Sequence, residues 1–532
     1  MREANGKRTN GANGMRRAER LVAALRSPDR YPNPADSVEL IETHISWVLL
    51  AGAFAYKIKK PVKLPFLDFS TLEQRRRFCE EELRLNRRIA PELYLGVVPI
   101  GGTPDEPSIG ATPAIEYAIE LRRFDPDATA DRMLAQNAIR PEAILRLAED
   151  LARFHEAAER AEGRPPGGLA LENLDQLTEA LARAGVAEPI ADFRRWTEAQ
   201  ARRLAPVFAE RRASAVRDGH GDLHLENVAV IDGRLRPFDM LEFDASLRAV
   251  DVLDEAAFLA MDLIVHSRPD FALLFLNRYL EITGDYSGTR TATFYLVYRA
   301  LVRAKVRAIK AAQSARSGPA EDRVRPYLDA ARRLIEPRAP LLVLTHGLSG
   351  SGKTTVTNEL VPRLPALRIR SDLERKRLHG VAPDVHEELG VGEGRYGRAA
   401  TDRTYAALAA FAEDALLGGL DVIVDATFLT RARRAPFVAL AARCGARAAI
   451  LECVASEKTL RERIATRAAA RADASEATGA VLDAQLREVE RPAAAEGVAV
   501  IRVDTSAGVR YDELGAAIRA QAAVPRIPAK RR

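Results

Sequence analysis

Residues 44–62 read HISWVLLAGAFAYKIKKPV, two apolar runs on either side of Ala51-Gly52. That pattern predicts two strands joined by a turn. Residues 71–90, TLEQRRRFCEEELRLNRRIA, change to helical spacing, with Phe78, Leu85 and Ile89 as the buried stripe and Pro91 as the stop. Residues 94–123 hold several short apolar runs broken by Gly and Pro, which predict strands. The texture then shifts. Residues 141–160 and 173–212 carry Leu and Ala at helical spacing, 225–244 return to short strands, and 251–315 are mainly helical. From 341 onward strand and helix alternate. LLVLTHG (341–347), LRIRSD (367–372), DVIVDAT (421–427), AAILECV (448–454) and VAVIRVD (498–504) are the strand candidates. Runs this apolar suit strands buried on both faces of a parallel sheet.

Punctuation divides these patterns. The stretch 313–340 holds a Gly-Pro break, a charged helix and two prolines around Arg338-Ala339. The reading is a flexible tail over 1–34, a first domain over 35–315, a linker over 316–340, a second domain over 341–515 and a basic tail over 516–532. Length agrees, since 532 residues exceed what one compact domain usually holds. Composition adds limits. Lys+Arg of 80 against Asp+Glu of 74 leaves a net charge of +6. The arginines are interspersed with Ala and Glu, which argues for a solvated surface and against a nucleic-acid surface. The 3 cysteines give neither a disulfide framework nor metal-ligand spacing, so a reducing cytoplasm is expected. No apolar run reaches membrane-helix length, and the charged, Gly/Asn-rich start is not a signal peptide. Oligomeric state is left open.

The strongest chemical signal is Gly347-Leu348-Ser349-Gly350-Ser351-Gly352-Lys353-Thr354-Thr355, directly after a predicted strand and opening a predicted helix. Glycines there let successive backbone N–H groups cradle phosphate, helped by the helix N-terminus. Lys353 would reach the β and γ phosphates, and Thr354 would ligate Mg²⁺. Asp372, at the end of the next strand, is placed to take the proton of a substrate hydroxyl. Arg375 would hold a substrate anion, and Asp425 would lie near Mg²⁺ or its water. Arg463, Arg467 and Arg471 fall four apart on one helix face, suited to charge on a transferring phosphoryl group. The segment 340–510 resembles the small AAA-type P-loop kinases of the polynucleotide kinase, zeta toxin and gluconate kinase group. The resemblance implies ATP-dependent phosphorylation of a hydroxyl, with Asp372 as base and Arg467 as the lid arginine.

The second signal is His220-Gly221-Asp222-Leu223-His224-Leu225-Glu226-Asn227, followed by Asp239. An Asp that orients a hydroxyl, with an Asn and a second Asp that hold Mg²⁺, is the protein-kinase arrangement. His220 would lock the loop by hydrogen bonding. The H-G-D-x-x-x-x-N form resembles aminoglycoside and choline phosphotransferases. That resemblance covers 35–315 and implies Lys57, with Lys59 as rival, for the ATP-binding lysine. It also implies Glu81 or Glu82 as its partner and EYAIELRRF (116–124) as the adenine hinge. No G-x-G-x-x-G precedes Lys57. From Asp239 to Pro340 acidic and basic residues balance, which argues against a polycationic acceptor.

The order of the halves resembles bacterial two-domain proteins described as bifunctional aminoglycoside phosphotransferase/ATP-binding proteins. The expected fold is α/β and α+β in two domains: a bilobal protein-kinase-like fold, then a P-loop NTPase with a five-stranded parallel sheet. The expected function is transfer of the γ-phosphoryl group of ATP, with Mg²⁺, to a small-molecule hydroxyl at two ATP sites. The alternatives are a P-loop kinase whose first half only binds a ligand, and a nucleic-acid-end kinase or binding protein.

Overall fold

The computed structural model describes residues 2–64, 67–313, 319–381, 397–470 and 478–525. Contacts divide the chain into two compact units: Met1–Arg164 with Val216–Glu255, and Pro165–Ala215 with Ala256–Arg532. The division differs from the one read from sequence. The helices of 165–215 and those after Ala256 belong with the P-loop segment instead of the strand-rich front.

The first unit is built on a six-stranded antiparallel sheet. Its order is Val38–Glu42, Ser46–Ala51, Phe54–Lys59, Ala114–Arg122, Tyr94–Gly102 and Pro107–Ile109. Gly52, at φ 57°, makes the turn into the strand of Lys57, and Lys57 lies between Val48 and Ile119 in register. Tyr56 and Ile58 face the opposite way from Lys57, as the period-2 pleat requires. They join Trp47, Leu49 and Ala118 in an apolar layer. The N-terminal helix Arg2–Ala24 supplies Ala18, Leu21 and Val22 to that layer, and Leu25 follows. This part of the expected tail is therefore core: an apolar sheet face needs a cover, and the helix provides it.

The helix Leu72–Asn86 starts for a local reason. The Thr71 hydroxyl accepts from the Gln74 amide at 3.2 Å, and Gln74 Oε1 accepts from the Thr71 N–H at 3.2 Å. Its buried residues are Arg75, Cys79, Glu82, Leu85 and Asn86, while Phe78 is only half-buried. Leu85 and Ile89 of the apolar stripe expected from sequence are buried, and the polar Arg75, Glu82 and Asn86 share the buried face with them. Arg75 shows why: its guanidinium pairs with the buried Glu116 carboxylate at 2.8 Å and donates to the Phe69 carbonyl at 2.9 Å.

In the second unit the P-loop segment forms a five-stranded, wholly parallel sheet. Its order is Ala366–Arg370, Asp421–Asp425, Leu341–His346, Arg447–Val454 and Ala499–Asp504. All six residues of the central strand Leu341–His346 are buried, as expected of a sheet covered on both faces. One face packs Leu341 and Val343 on Val356, Leu360, Leu514, Ile518 and Ala522. The helix Tyr511–Gln521 therefore puts part of the expected basic tail into the core; 526–532 lie outside the described residues. The expected linker is likewise structured, since the helix Ala320–Ile335 buries Val324, Tyr327, Leu328, Ala330 and Ala331. No described helix is long and apolar enough to cross a membrane.

Candidate active sites

The first site gathers side chains from distant stretches of the first unit. Lys57 Nζ lies 2.8 Å from Glu82 Oε1 and in direct contact with Asp239. Lys59 Nζ lies 2.6 Å from Glu82 Oε2 and contacts Glu242. Both lysines therefore share one carboxylate, and that carboxylate is Glu82. Glu81 instead pairs with Arg84 at 2.7 Å, one position round the helix, so the Glu81 assignment is corrected. Burial works to lower both lysines, but the carboxylates outweigh it and hold them above the ordinary range. Burial works to raise Asp239, and Lys57 overrides it, leaving that carboxyl below its usual value. Lys57 alone reaches Asp239; the ammonium of Lys59 is wholly buried between Glu82 and Glu242.

Asp239 has φ 65°, a left-handed backbone that a non-glycine residue adopts only when its surroundings impose it. Two side chains do so. The Tyr94 hydroxyl accepts from the Asp239 N–H at 3.1 Å, and Asn86 Oδ1 accepts from the Met240 N–H at 3.0 Å. The Asp222 loop is braced similarly. Asn227 Nδ2 donates to the Asp222 carbonyl at 3.0 Å and lies 3.3 Å from Asp222 Oδ2. His220 Nε2 meets the Phe238 carbonyl at 2.9 Å, the locking role expected of it. The Glu255 carboxylate accepts from the N–H groups of His220 at 2.9 Å and Gly221 at 2.6 Å, and meets His155 at 2.9 Å. Burial works to raise Glu255, but His155 and His220 bring it down to about 2. Glu255, Asn86 and Tyr94 escaped the sequence reading. For Glu255 a signal existed: a carboxylate inside the apolar run VLDEAAFLAMDLIV. At the end of the strand Ala114–Arg122 a cavity of about 870 Å³ opens, lined among others by Ala53, Phe54, Arg122, Phe124 and Pro126.

The second site stands at the C-terminal edge of the parallel sheet. Gly347, Gly350 and Gly352 have φ of 154°, 81° and 78°. A Cβ on Gly347 would come within 2.5 Å of the Cys453 carbonyl, and one on Gly350 within 2.8 Å of the Leu460 carbonyl. The loop thus needs glycine both for conformation and for space. Lys353 Nζ arches back to the carbonyls of Gly347 and Leu348, each at 2.9 Å. Thr354 is half-buried and Thr355 exposed. Asp425 is buried at the end of its strand, its Oδ2 3.1 Å from the Thr357 hydroxyl, which also lies 3.1 Å from the Thr354 carbonyl. Arg370 is the register partner of Asp425, so Asp372, two residues on, emerges at the same edge. Arg375 is buried and donates to Thr401 Oγ1 at 3.2 Å.

Two clamps on the phosphate loop were not foreseen. Gln485 Oε1 accepts from the Ser349 N–H at 2.8 Å. Arg463 donates to Thr505 at 2.9 and 2.7 Å and to the Gly350 carbonyl at 3.3 Å, while Thr505 Oγ1 donates to the Ser351 carbonyl at 3.0 Å. Arg463 therefore braces the loop from below. The side chain of Arg467 and all of Arg471 lie outside the described residues. Leu460, Ile464 and Leu482 form an apolar cluster with Leu348, seating the helices Glu457–Ala470 and Gly479–Glu488 on the loop.

Both sites offer oxygen donors in ones and twos, and among the described residues no cluster of three or more His, Cys, Asp or Glu forms a metal cage. Asn227 and Asp239 in the first site, and Thr354 and Asp425 in the second, are oxygen donors of the kind Mg²⁺ takes.

Comparison with known proteins agrees with this geometry. Residues 342–492 match the family described as an AAA domain. An uncharacterised protein of Mycobacterium tuberculosis is 32% identical over 457 residues, covering 84% of this chain and 90% of its own length; one from Mycobacterium bovis matches equally. The chain belongs to the family of these mycobacterial proteins. The match extends well beyond the AAA domain, so the family is defined by both halves together. Among solved structures, a choline/ethanolamine kinase family protein from Mesorhizobium loti is 14% identical, with a TM-score of 0.39. The match covers 60% of this chain and 95% of that one. A gluconokinase from Sinorhizobium meliloti is 23% identical, with a TM-score of 0.24, covering 35% and 95%. Within this family member the AAA domain of 342–492 carries all but the last strand of the five-stranded parallel sheet, and the six-stranded antiparallel sheet lies in the first unit.

Proposed function

We propose that the chain is an ATP-dependent phosphotransferase with two nucleotide sites on unrelated folds, each moving a γ-phosphoryl group to a small-molecule hydroxyl. The observation that carries the reading is the meeting of Glu82 and Asp239 at Lys57, from positions 25 and 182 residues away. A lysine fixed by a helix carboxylate beside a second acid is the constellation phosphoryl transfer requires. In the first site Lys57 holds phosphate, Asn227 and Asp239 hold Mg²⁺, and Asp222 takes the acceptor proton. In the second, the glycine loop and Lys353 hold phosphate, Thr354 and Asp425 hold Mg²⁺, and Asp372 takes the acceptor proton. Arg375 serves the acceptor and Arg467 the transferring group. Bound Mg²⁺ would supply charge neutralisation on the phosphates. The balanced charge of 239–340 favours a neutral or anionic acceptor. Three free cysteines, two of them buried, accord with a reducing cytoplasm.

One observation favours a second reading. Lys57 Nζ rests directly on Asp239, neutralising the carboxylate assigned to Mg²⁺. A first half that only binds a ligand would keep that pair closed. The full chain should be incubated with ATP labelled at the γ position and a panel of hydroxyl acceptors, as wild type, Lys353→Ala, Asp222→Ala and both together. Two active sites predict that each single variant retains part of the transfer and the double variant none. A Lys353→Ala chain with no residual transfer to any acceptor leaves only the second reading, and wild-type activity in the double variant sinks both.

A further inference from the structure

The strand Ala366–Arg370 is an edge of the parallel sheet, with free backbone groups on its outer side unless something covers them. The helix Pro269–Thr283, far upstream in sequence but in the same unit, covers it. Asn277 Oδ1 accepts from the Arg368 N–H at 2.6 Å, and Asn277 Nδ2 lies 3.2 Å from the Ala366 carbonyl. One carboxamide thus takes the place of a further strand. One helical turn on, Glu281 Oε1 accepts from Arg368 Nη2 at 2.7 Å, and the Glu281 carbonyl accepts from Arg377. Arg377 also pairs with Glu374. Gly284 leaves the room: a Cβ there would stand 2.6 Å from Arg377 Nε. Asn277, Glu281, Arg368 and Glu374 are all at most 7% exposed. Tyr286 stacks on Phe411 at 5.2 Å beside them.

The helix Ser371–Leu378 follows Arg368, carries Asp372 and Arg375 and has Arg377 in its last turn. It is held from its incoming strand by Asn277 and Glu281 and from its last turn by the Glu281 carbonyl. Buried polar groups that satisfy one another specify a single register, because any slip strands them without partners. We propose that Asn277 and Glu281 are positioning residues for the P-loop reaction: they set where Asp372 stands, so that the acceptor end of this site is built by sequence lying before the AAA domain begins. The inference rests on the phosphotransferase reading of that site.

The test uses the full chain carrying Asp222→Ala, with ATP–Mg²⁺ as probe and water as acceptor, and hydrogen exchange as a second readout. Asn277→Leu keeps the size and removes both hydrogen bonds. It is expected to lower kcat by about ten- to a hundredfold, as a small misplacement of a reacting group does, with KM for ATP within about twofold. Exchange over 366–378 should accelerate while 341–346 and 421–425 remain as in wild type. Asn277→Asp, which retains the acceptor for the Arg368 N–H, should recover part of both effects, and Glu281→Gln should show a milder form. Wild-type kcat and exchange in Asn277→Leu overturn the proposal. So does a parallel fall in kcat, ATP affinity and protection across the whole sheet, which marks general destabilisation. A parent chain that turns over no ATP overturns the kinase reading instead, and exchange over 366–378 then still decides whether Asn277 holds the Asp372 helix.

Discussion

At the scale of single residues, the first site depends on which of two adjacent glutamates faces the lysines. Glu82 is wholly buried and answers two ammonium groups, whereas Glu81 is partly exposed and meets Arg84. Removing one partner from a buried charge cluster leaves the others uncompensated, at a cost of about 3–5 kcal/mol. A surface ion pair is worth about 0–1 kcal/mol. Glu82→Gln is therefore expected to lower the stability of the chain by roughly 3 kcal/mol or more and to weaken nucleotide binding at the first site. Glu81→Gln should change either by little. Urea unfolding and nucleotide titration of the two variants check this; equal effects would mean the helix is rotated by one position. Hydropathy could not choose between them, because a helix face lined by Arg75, Glu82 and Asn86 looks like a solvent face until its partners arrive.

Among the elements, the strand Leu341–His346 ends on a buried histidine just before the phosphate loop. Burial lowers His346 to about 4, with the nearby Arg434 and Lys353 acting in the same direction. Its ring meets the Phe428 carbonyl at 3.1 Å, a contact that works to raise it, but burial outweighs that and keeps the ring neutral. A folded value below the unfolded one near 6.5 means the unfolded chain binds the proton more readily. The contribution to stability is thus complete above pH 6.5 and is lost as pH falls toward 4. Between pH 7.5 and pH 5 the loss should be about 2 kcal/mol. His346→Asn should flatten that slope. Urea unfolding followed at both pH values reads the difference, and an equal slope in wild type and variant would assign it to other groups. The same element shows what periodicity does well. Each of the five predicted strands appears within a residue or two of its expected place, most plainly Leu341–His346 and Asp421–Asp425, which are buried at every position as suits a run covered on both faces.

For the whole molecule, the boundaries moved most. The N-terminal segment looked like a tail because its first residues are polar, yet Leu21, Val22 and Leu25 close the outer layer of the six-stranded sheet. Deleting residues 1–34 should leave Trp47, Leu49 and Tyr56 uncovered. Since a single Leu→Ala change at such sites costs about 2–5 kcal/mol, the shortened chain should unfold at markedly lower temperature and bind an apolar dye. A melting temperature within a few degrees of wild type would show that the layer is stable uncovered.

The sequence by itself determined the motifs: the glycine loop, Lys353, the Asp222–Asn227 pair and the strands that present them all follow from local spacing and backbone geometry. It also placed two separate motif sets, one around Asp222 and one around Lys353, in one chain. Tertiary structure alone decided which charges meet. Glu82 over Glu81, Asn86 and Tyr94 behind Asp239, Glu255 behind His220, and Asn277 at the edge of the parallel sheet each join residues far apart in the chain. A buried polar side chain carries no periodic mark of its partner, and its place is fixed only when folding removes water and leaves one arrangement in which every donor and acceptor is satisfied.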